Sequence, residues 1–145
     1  MKAQIVAGVV DGIDVRIPSD VQFIGPVVEQ VVRRCEQLAF SRRHLALNVP
    51  VALTEALSNA ILRGNHDDRA KSVRVRADVN TTRLVMEVYD EGDGFDLDQR
   101  TEDPTTPENL WREDGRGLFL MRHLMDHVER FSADGNVVRL ILHRA

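Results

Sequence analysis

The stretch centred on Asn80-Thr81-Thr82 constrains the fold more than any other part of the chain. Before it, Val73, Val75, Ala77 and Val79 alternate with polar residues, and after it Leu84, Met86 and Val88 do the same. A period of two puts each apolar set on one face of a strand, and a short polar turn between two such runs makes an antiparallel hairpin. The pattern recurs near the C-terminus, where Val128 to Phe131 and Val137 to Leu142 are joined through Asp134-Gly135. An opening strand or hairpin, Ile5 to Val10 and Ile13 to Ile17, stops at Pro18.

The other periodicity is helical. Val27, Val28, Val31, Val32, Cys35, Leu38 and Ala39 predict a helix reaching about residue 40, and Ser19 with Gln22 has capping-box spacing for its start, complicated by Gly25-Pro26. A second helix is expected after Pro50, with Leu53, Ala56, Leu57, Ala60 and Ile61 as its stripe and an end near Gly64. Gly115 to Asp126 reads as a third. Strands and helices thus segregate in pairs instead of alternating. The expected fold is α+β, a two-layer sandwich of a mostly antiparallel sheet with helices on one face.

Composition narrows the function classes. A chain of 145 residues, read as a single domain over 1–145, can bury a core without disulfides or structural metals. A formal net charge of -4 gives no general reason for nucleic-acid binding. The single cysteine, Cys35, reads as buried core and fits a reducing compartment. Met1 to Val10 is too short an apolar run for a signal peptide, and nothing approaches the roughly 20 apolar residues of a membrane span, so a cytoplasmic protein without membrane contact is expected.

Three short motifs carry chemistry-bearing residues. Glu55 and Asn59, four apart, share a helix face distinct from the apolar stripe. A carboxylate and a carboxamide so placed suit a proton acceptor and an oxygen ligand for Mg²⁺; alone, the pair more readily describes a solvated face. Asp90-Glu91-Gly92-Asp93-Gly94-Phe95 follows a strand, where glycines let the backbone approach a flat ligand and a carboxylate can accept from an exocyclic amine, or it forms a tight acidic turn. Gly115-Arg116-Gly117-Leu118 stands where a long loop becomes a helix, a junction whose free N–H groups attract phosphate.

Other chemistries are poorly supported. Gly92 and Gly94 occupy positions where a calcium loop needs oxygen ligands, there is no GxxxxGK[ST], and no GxSxG elbow supports a serine triad. His123 and His127 have helical spacing for zinc but lack the glutamate of HExxH, and read as surface or helix-end residues.

Taken in order, Glu55-Ala56-Leu57-Ser58-Asn59-Ala60 with Arg63-Gly64-Asn65, then Asp90 to Phe95, then Gly115 to Leu118, resemble the N, G1 and G2 boxes of the GHKL ATPases. The ExxxN form and the spacing are most similar to anti-sigma factor serine/threonine kinases, over about residues 10 to 143. The resemblance implies a Bergerat-type site for ATP and Mg²⁺. Asn59 would hold the metal, Asp90 would recognise the adenine amine, Gly92 and Gly94 would shape its pocket, and Gly115, Arg116, Gly117 and Leu118 would bind phosphates. Asn65 would complete the nucleotide site, and Glu55 would be the base that takes a proton from the partner's hydroxyl. Residues 96–114 would be an ATP lid, with Arg112 and Arg116 as phosphate contacts and Trp111 as an anchor.

The implied partners are a STAS-type anti-anti-sigma protein as phosphoacceptor and a sigma factor, with a homodimer whose candidate surface is the valine stripe of the first helix. The alternative is a nucleotide-dependent binding module that sequesters a regulator without significant kinase activity; the presence of Glu55 and Asn59 counts against it. A histidine-kinase fragment would need a phosphoacceptor helical hairpin, of which the sequence gives no sign. Two departures stand out: Arg63 where the family often has His, and Gly135-Asn136 where it often has Gly-Thr.

Overall fold

The computed structural model describes residues 12–92 and 113–145, and for 113–116 the backbone alone. The elements are β1 (Gly12–Pro18), α1 (Ile24–Gln37), α2 (Val49–Asn59), β2 (Ser72–Val79), β3 (Arg83–Asp90), α3 (Glu113–Leu124), β4 (His127–Ser132) and β5 (Asn136–His143). The expected strand at Ile5 to Val10 and most of the expected lid, with Trp111 and Arg112, lie outside the described residues. Five strands form one sheet in the order β1-β2-β3-β5-β4, each pair antiparallel. The helices cover one face, giving the expected α+β sandwich.

Register follows the alternation. Val15, Val75, Val88 and Val138 lie opposite one another across four strands, as do Ile13, Ala77, Met86 and Leu140, and all are buried. A slip of one residue would turn each row to the other face, so burial fixes the pairing. The outer face carries a second set of rows. Asp14, Arg76, Glu87, Arg139 and Glu129 lie opposite one another across all five strands, alternating in charge. Arg139 pairs with Glu87 at 2.9 Å and Glu129 at 3.0 Å, and Arg74 holds Asp14 in a fork at 2.9 and 2.6 Å.

The helices depart from the sequence reading at several points. The capping box of Ser19 and Gln22 does not form. Asp20 instead caps a short 3-10 turn by accepting from the Gln22 N–H at 3.0 Å, while Ser19 is buried and donates to the Lys71 carbonyl. Helix α1 ends at Gln37, two residues before Ala39, whose φ of 61° is incompatible with helix. Its valine stripe, Val27, Val28 and Val31, is buried in the chain's own core, so it offers no free surface for a dimer.

Helix α2 starts before Pro50. A π-helical turn, His44–Asn48, precedes it, and Val49 donates to the His44 carbonyl. Pro50 itself stands in the first turn of α2, where its missing N–H is tolerated, and the π-helical turn extends the helical run ahead of it. The run His44–Gly64 is long and apolar enough to cross a membrane, yet Ala52, Leu53, Ala56, Leu57 and Ile61 show it to be the core helix, packed on α1 and α3. Helix α3 starts at Glu113, so Glu113 and Asp114 belong to it and Gly115 and Gly117 lie inside its first turns. It ends at Leu124, which puts His127 on β4, so His123 and His127 do not share a helix.

Candidate functional site

Asp90 ends β3 and is 8% exposed. Its Oδ1 accepts from the Gly92 N–H at 2.8 Å and from Asn136 Nδ2 at 3.0 Å. Burial raises its pKa above the usual aspartate value, and these two hydrogen bonds partly oppose the rise. The end of α2 lies directly against it, because a Cβ on Gly64 would land inside the Asp90 carboxylate, and one on Gly92 would collide with the Gly64 carbonyl. Only glycine permits this approach. Gly135, at φ 129°, turns the chain from β4 into β5 beside the Asp90 backbone.

Asn65 binds these pieces together. It is fully buried just after the π-helical end of α2 (Ala60–Gly64). Its Nδ2 donates to Ser19 Oγ and to the Ser72 carbonyl, both at 2.9 Å, and its Oδ1 accepts from the Glu91 N–H at 2.7 Å. One side chain thus links the ends of β1, α2, β2 and β3. Glu91 turns back onto Ser72, accepting from its hydroxyl at 3.0 Å and from its N–H, and these bonds lower its pKa. Asn65, expected in the nucleotide site, has its amide and its carbonyl both engaged and holds the loop that carries Asp90 and Gly92.

Glu55 and Asn59 lie on the face of α2 that meets α3. A Cβ on Gly117 would stand 3.0 Å from Glu55 Oε2 and 3.1 Å from Asn59 Nδ2, so the backbone of α3 is drawn in against both polar groups. Both are partly exposed, and neither makes a side-chain hydrogen bond among the described residues. Asn48 braces the far end, its Nδ2 donating to the Leu124 carbonyl at 2.8 Å. Near Glu55 and Asn59, the first turn of α3 presents N–H groups that have no helical acceptor.

The structure therefore brings Glu55, Asn59 and Gly117 together, and Asp90, Gly92 and Asn136 together, with α2 running between the two groups. Leu118 is core, so only its backbone faces the site end of α3. Gly115 lies in the first turn of α3; Gly94, Arg112 and the Arg116 side chain fall outside the description. Among the described residues no three His, Cys, Asp or Glu side chains cluster as a metal site. Cys35 is buried with its pKa pushed up to about 12 by burial, which makes it an unreactive thiol. In the sequence Gly64 stands out only as a glycine ending an apolar helix; its contact with Asp90 emerges from the fold. Ser19 gave no signal, because its partners, Lys71 and Asn65, lie in loops about fifty residues away.

Comparison with known proteins identifies the family and the fold. The profile of the histidine kinase-like ATPase domain matches residues 17–142. The chain is 32% identical over 136 residues to a serine-protein kinase RsbW of Bacillus velezensis, covering 90% of this chain and 84% of that protein. It is 30% identical over 135 residues to the RsbW of Bacillus subtilis, with the same coverage. An anti-sigma F factor of Clostridium beijerinckii is 29% identical over 97 residues, 66% of this chain and 67% of that one. The fold matches a crystal structure of RsbU and RsbW domains from Mycobacterium tuberculosis with a TM-score of 0.62 at 15% identity, over 92% of this chain and 32% of that one. With a profile match over residues 17–142 and relatives at 30% identity or more covering 90% of the chain, the chain belongs to the histidine kinase-like ATPase domain family.

Proposed function

We propose that this chain is an Mg-ATP-dependent serine/threonine-protein kinase that also acts as an anti-sigma factor, phosphorylating a STAS-type anti-anti-sigma partner and binding a sigma factor. The observation that carries the reading is the approach of the Gly117 backbone to Glu55 and Asn59. It sets a carboxylate, a carboxamide and the free N–H groups of a helix start around one point. The names of the relatives, serine-protein kinase and anti-sigma factor, agree with it.

The residues present fit the nucleotide. A side chain on Gly117 would crowd Glu55 and Asn59, and Asp90 and Asn136 offer buried acceptors at the far end of the same helical run, beside Gly64. That separation suits a purine at one end and phosphates at the other. Asp90 would accept from the adenine amine, with Gly92 shaping the pocket and Gly94 completing it. Asn59 would supply one oxygen to Mg²⁺. A metal held by one protein ligand, phosphates and water needs no carboxylate cluster. When bound, the metal neutralises phosphate charge.

Glu55 then does what phosphoryl transfer asks of the protein. It holds the acceptor hydroxyl in line and takes its proton as the oxygen–phosphorus bond forms and the bond to the leaving ADP oxygen breaks. Gly115, Arg116, Gly117 and Leu118, through the start of α3, and Arg112 would hold the phosphates, with residues 96–114 closing as a lid. A cytoplasmic homodimer completes the proposal. Incubation with Mg-ATP and candidate STAS proteins, read by mass spectrometry of the acceptor residue, tests it. Transfer by the wild type, slowed by about 10²-fold or more in Glu55→Ala with ATP binding retained, is the expected result; ATP binding without transfer to any STAS partner would favour the sequestering module instead.

A further inference from the structure

Helices α2 and α3 lie side by side and antiparallel. Gly117, near the start of α3, meets Glu55 and Asn59, and the Leu124 carbonyl at its end accepts from Asn48 just ahead of α2. A groove runs between these two contacts. On one wall Leu120 lies a turn from both Gly117 and Leu124; on the other, Val51 lies a turn before Glu55 and Leu47 a turn before Val51. Leu47 and Leu120 are each 39% exposed, and Val51 is half-buried. Of the other large hydrophobics open to solvent among the described residues, Val21 precedes α1 and Leu62 lies beyond Asn59. The charge beside the groove is one-sided. From Arg42 to Gly64 and from Gly117 to Leu124 the two helices carry Arg42, Arg43, Arg63 and Arg122, with Glu55 as their single carboxylate, in a chain whose formal net charge is -4. Exposed apolar side chains rimmed by charge of one sign mark a surface for a macromolecule of the other sign.

We propose that the half of this groove from Glu55 to Leu47 and Leu120 is the docking surface of the phosphoacceptor protein. It takes an amphipathic segment whose apolar side chains fill the space between Leu47 and Leu120 and whose flanking carboxylates face Arg43, one turn before Leu47. The inference rests on the kinase reading above and adds to it the place where the acceptor sits. The direction of approach follows from the chemistry. In phosphoryl transfer the attacking and leaving oxygens lie on opposite sides of the phosphorus. With adenine at Asp90 and the phosphates at the start of α3, ADP leaves towards the Asp90 end, so the acceptor hydroxyl arrives from the other. Glu55 stands one turn farther from Gly64 and Asp90 than Asn59 does, and Leu47 and Leu120 lie beyond it in the same direction. A hydroxyl carried by a segment seated there reaches Glu55 first; its oxygen bonds to the γ-phosphorus as its proton passes to Glu55 and the ADP oxygen departs.

Initial rates of transfer from Mg-ATP to the STAS proteins encoded in the same genome test this, with KM and kcat for the acceptor measured in the wild type, Leu47→Asp, Leu120→Asp, Arg43→Glu and the outer-face control Glu87→Gln. Calorimetric titration with ATP, Tm and light scattering accompany each protein. Both aspartate variants should raise KM for the acceptor about tenfold or more, with kcat at saturating acceptor and ATP affinity near those of the wild type. Arg43→Glu should raise KM about two- to tenfold, by a factor that shrinks with added salt. Glu87→Gln should leave both constants unchanged. Leu47→Ala and Leu120→Ala, which remove contact area without adding charge, should raise KM severalfold and serve alone if the aspartates lower Tm. An unchanged KM in the groove variants, with transfer intact, overturns the inference alone; if their oligomeric state shifts at the same time, the groove belongs to a second copy of the chain. ATP binding by the wild type without transfer to any of these proteins defeats the kinase reading and the inference with it.

Discussion

Asp14 and Asp90 lie on opposite faces of one sheet, and their surroundings differ in what they leave undone. Asp14, on the outer face, is gripped by the Arg74 fork with Arg76 at 3.9 Å, and Arg74 holds its carboxyl below the usual range. Its row continues through Glu87, Arg139 and Glu129, so each carboxylate there already has a guanidinium. Asp90, at the helix-covered end, takes its described hydrogen bonds from the neutral donors Gly92 and Asn136, and burial pushes its pKa up. The outer charges serve the fold and are spent on it. The inner polar groups, Asp90, Asn136, Glu55 and Asn59, keep bonding capacity that the described fold does not use, which is where a ligand gains most.

The contrast breaks if outer and inner substitutions have similar effects. The largest difference is expected in catalysis: Glu55→Ala should slow phosphate transfer by about 10²- to 10⁴-fold, the usual worth of a positioned base, while ATP affinity stays near that of the wild type. Glu87→Gln on the outer face should leave the rate unchanged in the same assay. Next, Gly64→Ala drives a methyl group into the Asp90 carboxylate. It should destabilise the fold by about 1–3 kcal/mol in urea titration and abolish measurable ATP binding.

Acidification sharpens the comparison with opposite signs. Asp90 has a folded pKa above its unfolded value, so the folded state takes up its proton first, and protonation as pH falls through the raised value favours folding while removing the acceptor for adenine. Asp14 has a folded pKa below its unfolded value, so its contribution is present above the unfolded value and is lost as pH falls through the folded one. ATP affinity, corrected for phosphate protonation by titrating tripolyphosphate alongside, should therefore fall at a higher pH than the Tm of the ligand-free chain. A simultaneous fall would contradict the assignment. The smallest effect is expected from Glu129→Gln, about 0.2–1 kcal/mol by urea titration and less at high salt, with ATP affinity untouched.

What the sequence made legible follows range. The alternation around Asn80-Thr81-Thr82 and the stripe from Leu53 to Ile61 were readable because side-chain period is a local property, and the motifs were readable because Glu55, Asn59, Asp90 and Gly117 have local signatures. The π-helical turn before Pro50 was not, since it depends on how the whole run from His44 packs. Ser19 was mistaken for a helix cap because its true partners, Lys71 and Asn65, are about fifty residues away. The structural role of Asn65 has no local signal either, because its hydrogen bonds join four elements whose meeting no local pattern announces. Gly64 and Gly117 acquire meaning only when the side chains that crowd them are in place.

The central claim is that the open polar groups along α2 and at the end of β3 hold Mg-ATP. Calorimetric titration of the purified chain with ATP, with and without Mg²⁺, alongside Asn59→Ala and Asp90→Asn, tests it most directly. The account predicts binding that strengthens with Mg²⁺, loses that dependence in Asn59→Ala, and falls by at least about tenfold in Asp90→Asn, where one buried acceptor becomes a donor. Binding of equal strength in all three proteins, or none to the wild type under any condition, would contradict it.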